Sequence, residues 1–217
     1  MVNFATAKGF IFDCDGTLLD SLGAWEEAES PLFAQTGPLT QAQEDEIHSA
    51  PFAQAAELFH TKYGVGESAQ DVFDHLDGFL LRYYRDEAKA LPGACELVRS
   101  ISEAVIPCVV LSSSPRRFLE AGLRRVGILD CFTDLVTTDE SGVSKQDPAI
   151  YARALEILGA DRGDVWAVDD APYAIGVMAD FGLNTIGVAY GSSDERRKQL
   201  EMRADVVVET LCDISFP

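Results

Sequence analysis

Apolar positions change their period twice along this chain. Gly9-Phe10-Ile11-Phe12 is an unbroken apolar run of strand length, which predicts a buried parallel strand. Beyond Asp20 the spacing turns helical. Leu22, Trp25, Leu32 and Phe33 give a first stripe, with Glu26-Glu27 on the other face and Gly37-Pro38 as its end. Phe52, Ala55, Ala56, Phe59 and Tyr63 follow i, i+3, i+4, i+7, i+11. After a loop at 64–66, Val72, Leu76, Phe79, Leu80, Tyr83 and Tyr84 mark the longest helix of this part. Three or four helices with no strand among them, closed by Pro92-Gly93, predict a small helical bundle inserted into a sheet domain.

From Pro92-Gly93 onward, helices and strands alternate. Ala94, Leu97, Val98 and Ile101 share a helical face, and residues 106–111 form an apolar strand closed by Ser112-Ser113-Ser114-Pro115. Leu119, Gly122, Leu123 and Val126 mark a helix, 135–137 a short strand, and Ile150, Ala154, Leu155 and Leu158 another helix. Residues 165–168 form a strand ending in Asp169-Asp170, and Ile175, Met178 and Ala179 lie on a helix that stops near Gly182. Segments 185–188 and 205–208 complete the strands. The alternation predicts an α/β fold, a Rossmann-like parallel sheet with helices on both faces. Residues 1–18 and 91–217 are expected to form this core, and 19–90 the inserted helical domain.

Composition narrows the setting. The 217 residues are 47% hydrophobic, enough for one core domain with a modest insertion. No run of about 18 apolar residues is present, and residues 1–8 lack the basic-then-apolar plan of a secretory signal, so a cytoplasmic location is expected. The five cysteines, an odd number with no Cys-x-x-Cys pair, argue against a disulfide framework or zinc site. A formal charge of −19 repels nucleic acid and anionic lipid. It repels a phosphate ester as well, so binding one requires local positive charge.

Candidate chemistry gathers where strands end. Asp13 and Asp15 follow the first strand at i, i+2. Continued strand geometry sends both carboxylates to one face and Cys14 to the other, and Gly16 then lets the backbone turn away. Folding gains nothing from like charges so close, which points to a cation between them. The flanking carboxylates disfavour a Cys14 thiolate, making that thiol a bystander. Ser112, Ser113 and Ser114 precede a helix whose first turn includes Pro115, and hydroxyls with free N–H groups there form an anion site, or else an ordinary serine cap. Arg116 and Arg117 in that turn are expected to pair with surface acids, with substrate contact as the alternative.

Asp13-Cys14-Asp15-Gly16-Thr17 resembles the first signature motif of the haloacid dehalogenase superfamily, Asp-x-Asp-Gly-Thr, in its phosphatase form. Ser112 stands at the family's second-motif Thr/Ser position and Lys145 at its third-motif lysine. Asp169-Asp170-Ala171 stands where the fourth motif is commonly Glu-Asp-Ser. Gln146 departs from the usual Lys-Pro-x-Pro, although Pro148 and Tyr151 remain, which leaves the stiffness of that loop open. The resemblance implies Asp13 as nucleophile, Asp15 as acid/base, Lys145 as charge neutraliser, and Ser112, Ser113 and Lys145 as holders of the phosphoryl oxygens. It implies Mg²⁺ on Asp13, the Asp15 carbonyl, Asp170 and Asp169, and a helical C1 cap in the insertion.

The implied activity is Mg-dependent hydrolysis of a small phosphorylated metabolite, of the sugar phosphate, polyol phosphate or phosphoglycolate class, through an aspartyl-phosphate. A monomer or weak homodimer, without nucleic-acid or membrane partners, is expected. Trp25, Glu26 and His48 are candidates to reach the site from the insertion, whose cations are Lys62, Arg82, Arg85 and Lys89. A β-phosphoglucomutase-like phosphomutase shares all four motifs and is the first alternative; a non-catalytic phosphate sensor is the second. A 2-haloacid dehalogenase would not need Asp15. A phosphonatase would need a cap lysine, for which Lys62 and Lys89 are the candidates.

Overall fold

The computed structural model describes Phe4 and residues 6–215. In chain order the elements are β1 (Gly9–Phe12), α1 (Leu22–Thr36), α2 (Gln41–Ser49), α3 (Phe52–Thr61), α4 (Ala69–Asp86) and α5 (Ala94–Glu103). They continue with β2 (Cys108–Ser112), α6 (Arg116–Val126), β3 (Asp134–Thr137), the one-turn α7 (Thr138–Ser141) and α8 (Ala149–Leu158). The chain closes with β4 (Val165–Asp169), α9 (Pro172–Phe181), β5 (Asn184–Val188), α10 (Asp194–Glu201) and β6 (Val206–Val208).

The six strands form one sheet in the order β3-β2-β1-β4-β5-β6, and every pairing is parallel. β1 lies between β2 and β4, with Phe12 opposite Val110 on one side and Val168 on the other. The order reverses between β1 and β4, and ligand sites of open α/β sheets lie at the strand ends of such a switch point.

Side chains alternate across the sheet and divide the core in two. Phe10, Phe12, Cys14 and Val110 pack with Leu97, Val98, Phe118 and Leu123 of α5 and α6. Ile11, Val109 and Ala167 pack on the opposite face with Ile150, Ala154, Ile175 and Met178 of α8 and α9. The first cluster continues into the insertion through Phe52, Phe59, Leu76 and Tyr84.

Helices α1–α4 make up the insertion, and its entry and exit run side by side. Leu91 N–H donates to the Leu18 carbonyl (2.9 Å) and Asp20 N–H to the Lys89 carbonyl (2.9 Å). Besides the one-turn α7, helices α2 and α10 have no counterpart in the apolar pattern. Each buries a single hydrophobic side chain, Ile47 and Leu200 respectively, so neither shows a 3.6-residue stripe. Polar start signals mark them instead: the Thr40/Gln43 capping box for α2, and the Ser193 hydroxyl accepting from Arg196 N–H for α10. On α1 the buried row is Ala24, Ala28 and Leu32, whereas Leu22 and Trp25 line a cavity. Trp25 also packs edge-on against Phe52 and Phe118, so it serves both the cavity and the core.

Gly122 sets how closely the insertion approaches α6. A Cβ there would lie 2.6 Å from Leu19 Cδ1 and 2.9 Å from Tyr84 Cδ1. Alanine usually improves a helix interior by about 1 kcal/mol, but displacing these two fully buried side chains opposes that gain. Gly122→Ala is expected to be less stable by about 1–2 kcal/mol, read as a lower urea midpoint; a higher midpoint would show that Tyr84 and Leu19 shift freely.

Candidate active site

The chain turns at once after β1. The N–H groups of Leu18 and Leu19 both donate to the Cys14 carbonyl (2.9 and 2.8 Å), and Gly16 adopts φ +80°. A Cβ on Gly16 would lie 2.8 Å from Asp170 Oδ2, so glycine permits the turn and also leaves room for a carboxylate from β4. Asp13 N–H donates to the Val168 carbonyl (2.8 Å), which ties the end of β1 to the end of β4. Asp169 and Asp170 follow directly. Oxygens of Asp13, Asp169 and Asp170 lie within 4.8 Å of one another, and all three residues are buried.

Lys145 reaches this cluster from the loop before α8. Its ammonium donates to Asp13 Oδ1 (2.9 Å) and Asp169 Oδ2 (2.6 Å) and is itself buried. Gln146, where the motif departs from proline, does not leave the loop loose. Gln146 N–H donates to Ser144 Oγ (3.1 Å), Asp147 N–H to the Ser144 carbonyl (2.9 Å), and the buried Tyr151 hydroxyl to the Lys145 carbonyl (2.9 Å). The Gln146 amide also donates to Ser49 Oγ (3.0 Å), joining the loop to the insertion.

Electrostatics follow from this burial. Removal from water pushes the Asp13 carboxyl well above the usual carboxylate range; Lys145 opposes this, and Asp169, Asp170 and Asp15 reinforce it. Burial likewise raises Asp170, to about 6, against the pull of Arg196. Burial works against the Lys145 ammonium, but Asp13 and Asp169 outweigh it and hold it above its ordinary value. Burial and the two flanking carboxylates push the Cys14 thiol up, as expected of a bystander.

Three residues of this centre, Arg196, Tyr84 and Ser21, escaped the sequence reading. Arg196 on α10 donates to Asp170 Oδ2 (2.7 Å), and nothing in the apolar pattern marks its helix. Tyr84 on α4 donates to Asp15 Oδ1 and accepts from Trp25 Nε1 (2.8 Å). Burial and the neighbouring Asp15 push the Tyr84 phenol well up, so it keeps its proton as a donor. A phenol at the end of an apolar stripe needs a partner, which is the one signal that marked Tyr84 in advance. Asp15 also accepts from Ser21 Oγ (2.5 Å) and Ser114 Oγ (2.6 Å). Ser21 stands at the N-cap of α1 yet makes no capping bond there.

The remaining candidates separate. Ser112, Ser113 and Ser114 all line the cavity. Ser112 Oγ accepts from Ser114 N–H (3.0 Å), and the buried Ser113 hydroxyl has no partner among the described residues. Pro115 is the N-cap of α6 and lies just outside its first turn. Arg116 pairs with Glu140 (2.6 Å) and Asp134 (3.1 Å), and Arg117 with Asp77, so both bind surface acids. Trp25, Glu26 and His48 line the cavity; Lys62, Arg82, Arg85 and Lys89 do not. The cavity, about 440 Å³, lies between the strand ends and helices α1–α4.

Three buried carboxylates within reach of one another are an all-oxygen donor set, which suits a small hard cation. Around them four acids, Asp13, Asp15, Asp169 and Asp170, face two cations, Lys145 and Arg196, a formal imbalance that a divalent ion would offset.

A model of the haloacid dehalogenase-like hydrolases matches residues 7–182, and the chain belongs to that family. Among curated relatives it is 26% identical to validoxylamine A 7'-phosphate phosphatase of Streptomyces hygroscopicus subsp. limoneus, covering 97% of each chain. It is 29% identical to N-acetylmuramic acid 6-phosphate phosphatase of Pseudomonas putida, over 93% of this chain and 92% of the relative. The fold is shared with CbbY from Rhodobacter sphaeroides, solved in complex with phosphate, at TM-score 0.76, 19% identity and coverage of 95% and 96%.

Replacing Lys145 by methionine leaves two buried carboxylates without their cation. Lys145→Met is expected to lose about 3–5 kcal/mol of stability, read from urea unfolding at pH 7.5. The loss is smaller at pH 5, because carboxyls raised above their unfolded values take up protons more readily in the folded state, so their penalty grows as pH rises. A variant as stable as the parent at both pH values would contradict the assigned charges.

Proposed function

We propose that this phosphoric monoester hydrolase acts on a small phosphorylated metabolite of the sugar or polyol phosphate or phosphoglycolate class, through an aspartyl-phosphate on Asp13. The observation that carries the reading is the meeting of Asp13 with Lys145, Asp169 and Asp170 at the β1/β4 switch point, beside the Ser112–Ser114 turn. Asp13 attacks phosphorus, an Asp13 O–P bond forms, and the ester P–O bond breaks. Asp15 gives its proton to the departing alkoxide. In the second half Asp15 takes a proton from water, whose oxygen bonds to phosphorus as the Asp13 O–P bond breaks.

Lys145 offsets charge on Asp13 and on the transferring oxygens, while the Ser112 and Ser113 hydroxyls orient those oxygens. Asp13, Asp170 and the Asp15 carbonyl would hold Mg²⁺, with Asp169 next to them. When bound, the ion supplies positive charge to the nucleophile and phosphoryl group together. Helices α1–α4, residues 19–90, serve as the cap. The cap sets the acid/base through Tyr84: with Ser21 and Ser114, its hydroxyl fixes the Asp15 carboxyl toward the cavity. The names of the two relatives, phosphatases of validoxylamine A 7'-phosphate and of N-acetylmuramic acid 6-phosphate, support a small phosphorylated substrate.

Hydrolysis of p-nitrophenyl phosphate tests the reading. Phosphate release is expected in the presence of Mg²⁺, to vanish with chelator and return with added Mg²⁺, and to fall about 1,000-fold or more in Asp13→Asn. No metal-dependent turnover by the parent would leave a phosphate-binding sensor as the reading. Tyr84→Phe keeps the ring and removes one donor to Asp15. Its kcat is expected to fall about tenfold with little change in KM; equal kcat would remove Tyr84 from the mechanism.

A further inference from the structure

The two halves of the cavity differ in the cations they supply. At the strand ends Lys145 is held by Asp13 and Asp169, and Arg196 by Asp170. On the side of the insertion, α1 contributes Glu26 and Glu29 to the lining and α2 contributes Glu44 and Asp45. The one basic group on that side is His48, which is committed to the buried Glu29 (3.2 Å). Glu26, Glu44 and Asp45 make no ion pair among the described residues. The cations of the insertion are turned to other work: Lys62 binds Glu46 (2.5 Å) and Arg85 binds Asp86 (2.6 Å), both outside the lining. Trp25, half-buried, presents aromatic surface to the same cavity.

We infer that the alcohol released by this enzyme carries no negative charge: it is an uncharged or amine-bearing polyhydroxy compound, read by the carboxylates of α1 and α2. The inference rests on the phosphatase reading and narrows it. A second phosphate, or a carboxylate at the far end of the substrate, would meet Glu44 and Asp45, whose one basic neighbour on that side, His48, is already paired with Glu29, and like charges brought together in a partly desolvated site are strongly disfavoured. Hydroxyl and ammonium groups, in contrast, are donors, and carboxylates are pure acceptors for them. The aromatic surface accepts the C–H face of a sugar ring or, better, a cation. The volume of about 440 Å³ admits a six-carbon monophosphate. A phosphomutase cycle, which passes through a bisphosphate, and a glycolate leaving group both conflict with this wall.

A matched series separates the possibilities. Glucose 6-phosphate, glucosamine 6-phosphate, 6-phosphogluconate and glucose 1,6-bisphosphate are each tested as competitors of p-nitrophenyl phosphate hydrolysis by the Mg²⁺-loaded protein at low ionic strength. The neutral and amine-bearing compounds are expected to have inhibition constants at least about tenfold lower than the two with a second anionic group. The double variant Glu44→Gln, Asp45→Asn is expected to narrow that ratio about threefold or more; an unchanged ratio overturns the assignment to α2. Equal or tighter inhibition by 6-phosphogluconate or the bisphosphate, or inhibition by none of the four, overturns the inference and leaves the phosphatase reading standing. Failure to release p-nitrophenol at all overturns the phosphatase reading, and the inference with it.

Discussion

Three carboxylates buried around one ammonium govern the rest of this structure. Asp13, Asp169 and Lys145 are each almost wholly removed from water, and Asp170 joins them from the same strand end. A hydrophobic filling of that volume would be easier to fold, since ion pairs taken out of water regain little of their hydration. The arrangement holds because the backbone around it is over-determined. β1 and β4 are paired through Phe12 and Val168, Asp13 N–H continues that ladder, and Ala171 N–H donates to Asp169 Oδ1 (2.8 Å). Such a cluster keeps a strong demand for positive charge, which a divalent cation can meet.

The insertion is coupled to this cluster at several separate points. Trp25 donates to Tyr84, and Tyr84 to Asp15, so two insertion helices bear on the group proposed as acid/base. The Tyr84 ring stacks on Phe118 of α6 (centroids 5.3 Å, 14°), with Gly122 one turn on making space for it. Arg117 reaches from α6 to Asp77 and lies over the Phe118 ring, Phe52 N–H donates to Asp139 (2.6 Å), and Gln146 bonds Ser49. Opening the insertion breaks polar contacts as well as apolar ones. The cavity is walled by both parts of the chain.

Much of this was legible beforehand, for a physical reason. Strands buried on both faces read as apolar runs, and here such runs end in Asp13, Ser112 and Asp169-Asp170, side chains that gain nothing from burial unless they act together. The long helix carrying Val72, Leu76, Leu80 and Tyr84 likewise announces its buried face. What stayed hidden had no apolar signature. Helices α2 and α10 are almost wholly polar, and they carry Glu44, Asp45 and Arg196, groups that face the cavity. Leu22 and Trp25 also line the cavity, which periodicity cannot tell from a core position. The hydroxyls of Ser21, Tyr84 and Ser114 converge on Asp15 from three distant segments, a meeting that only the folded chain reveals.

Calorimetric titration of Mg²⁺ into the protein tests the central claim most directly, since it reads the charge demand of the cluster without any substrate. One ion per chain is expected to bind, with affinity at least about tenfold weaker in Asp170→Asn. Binding at the same affinity in that variant, or none in the parent protein, would contradict the account.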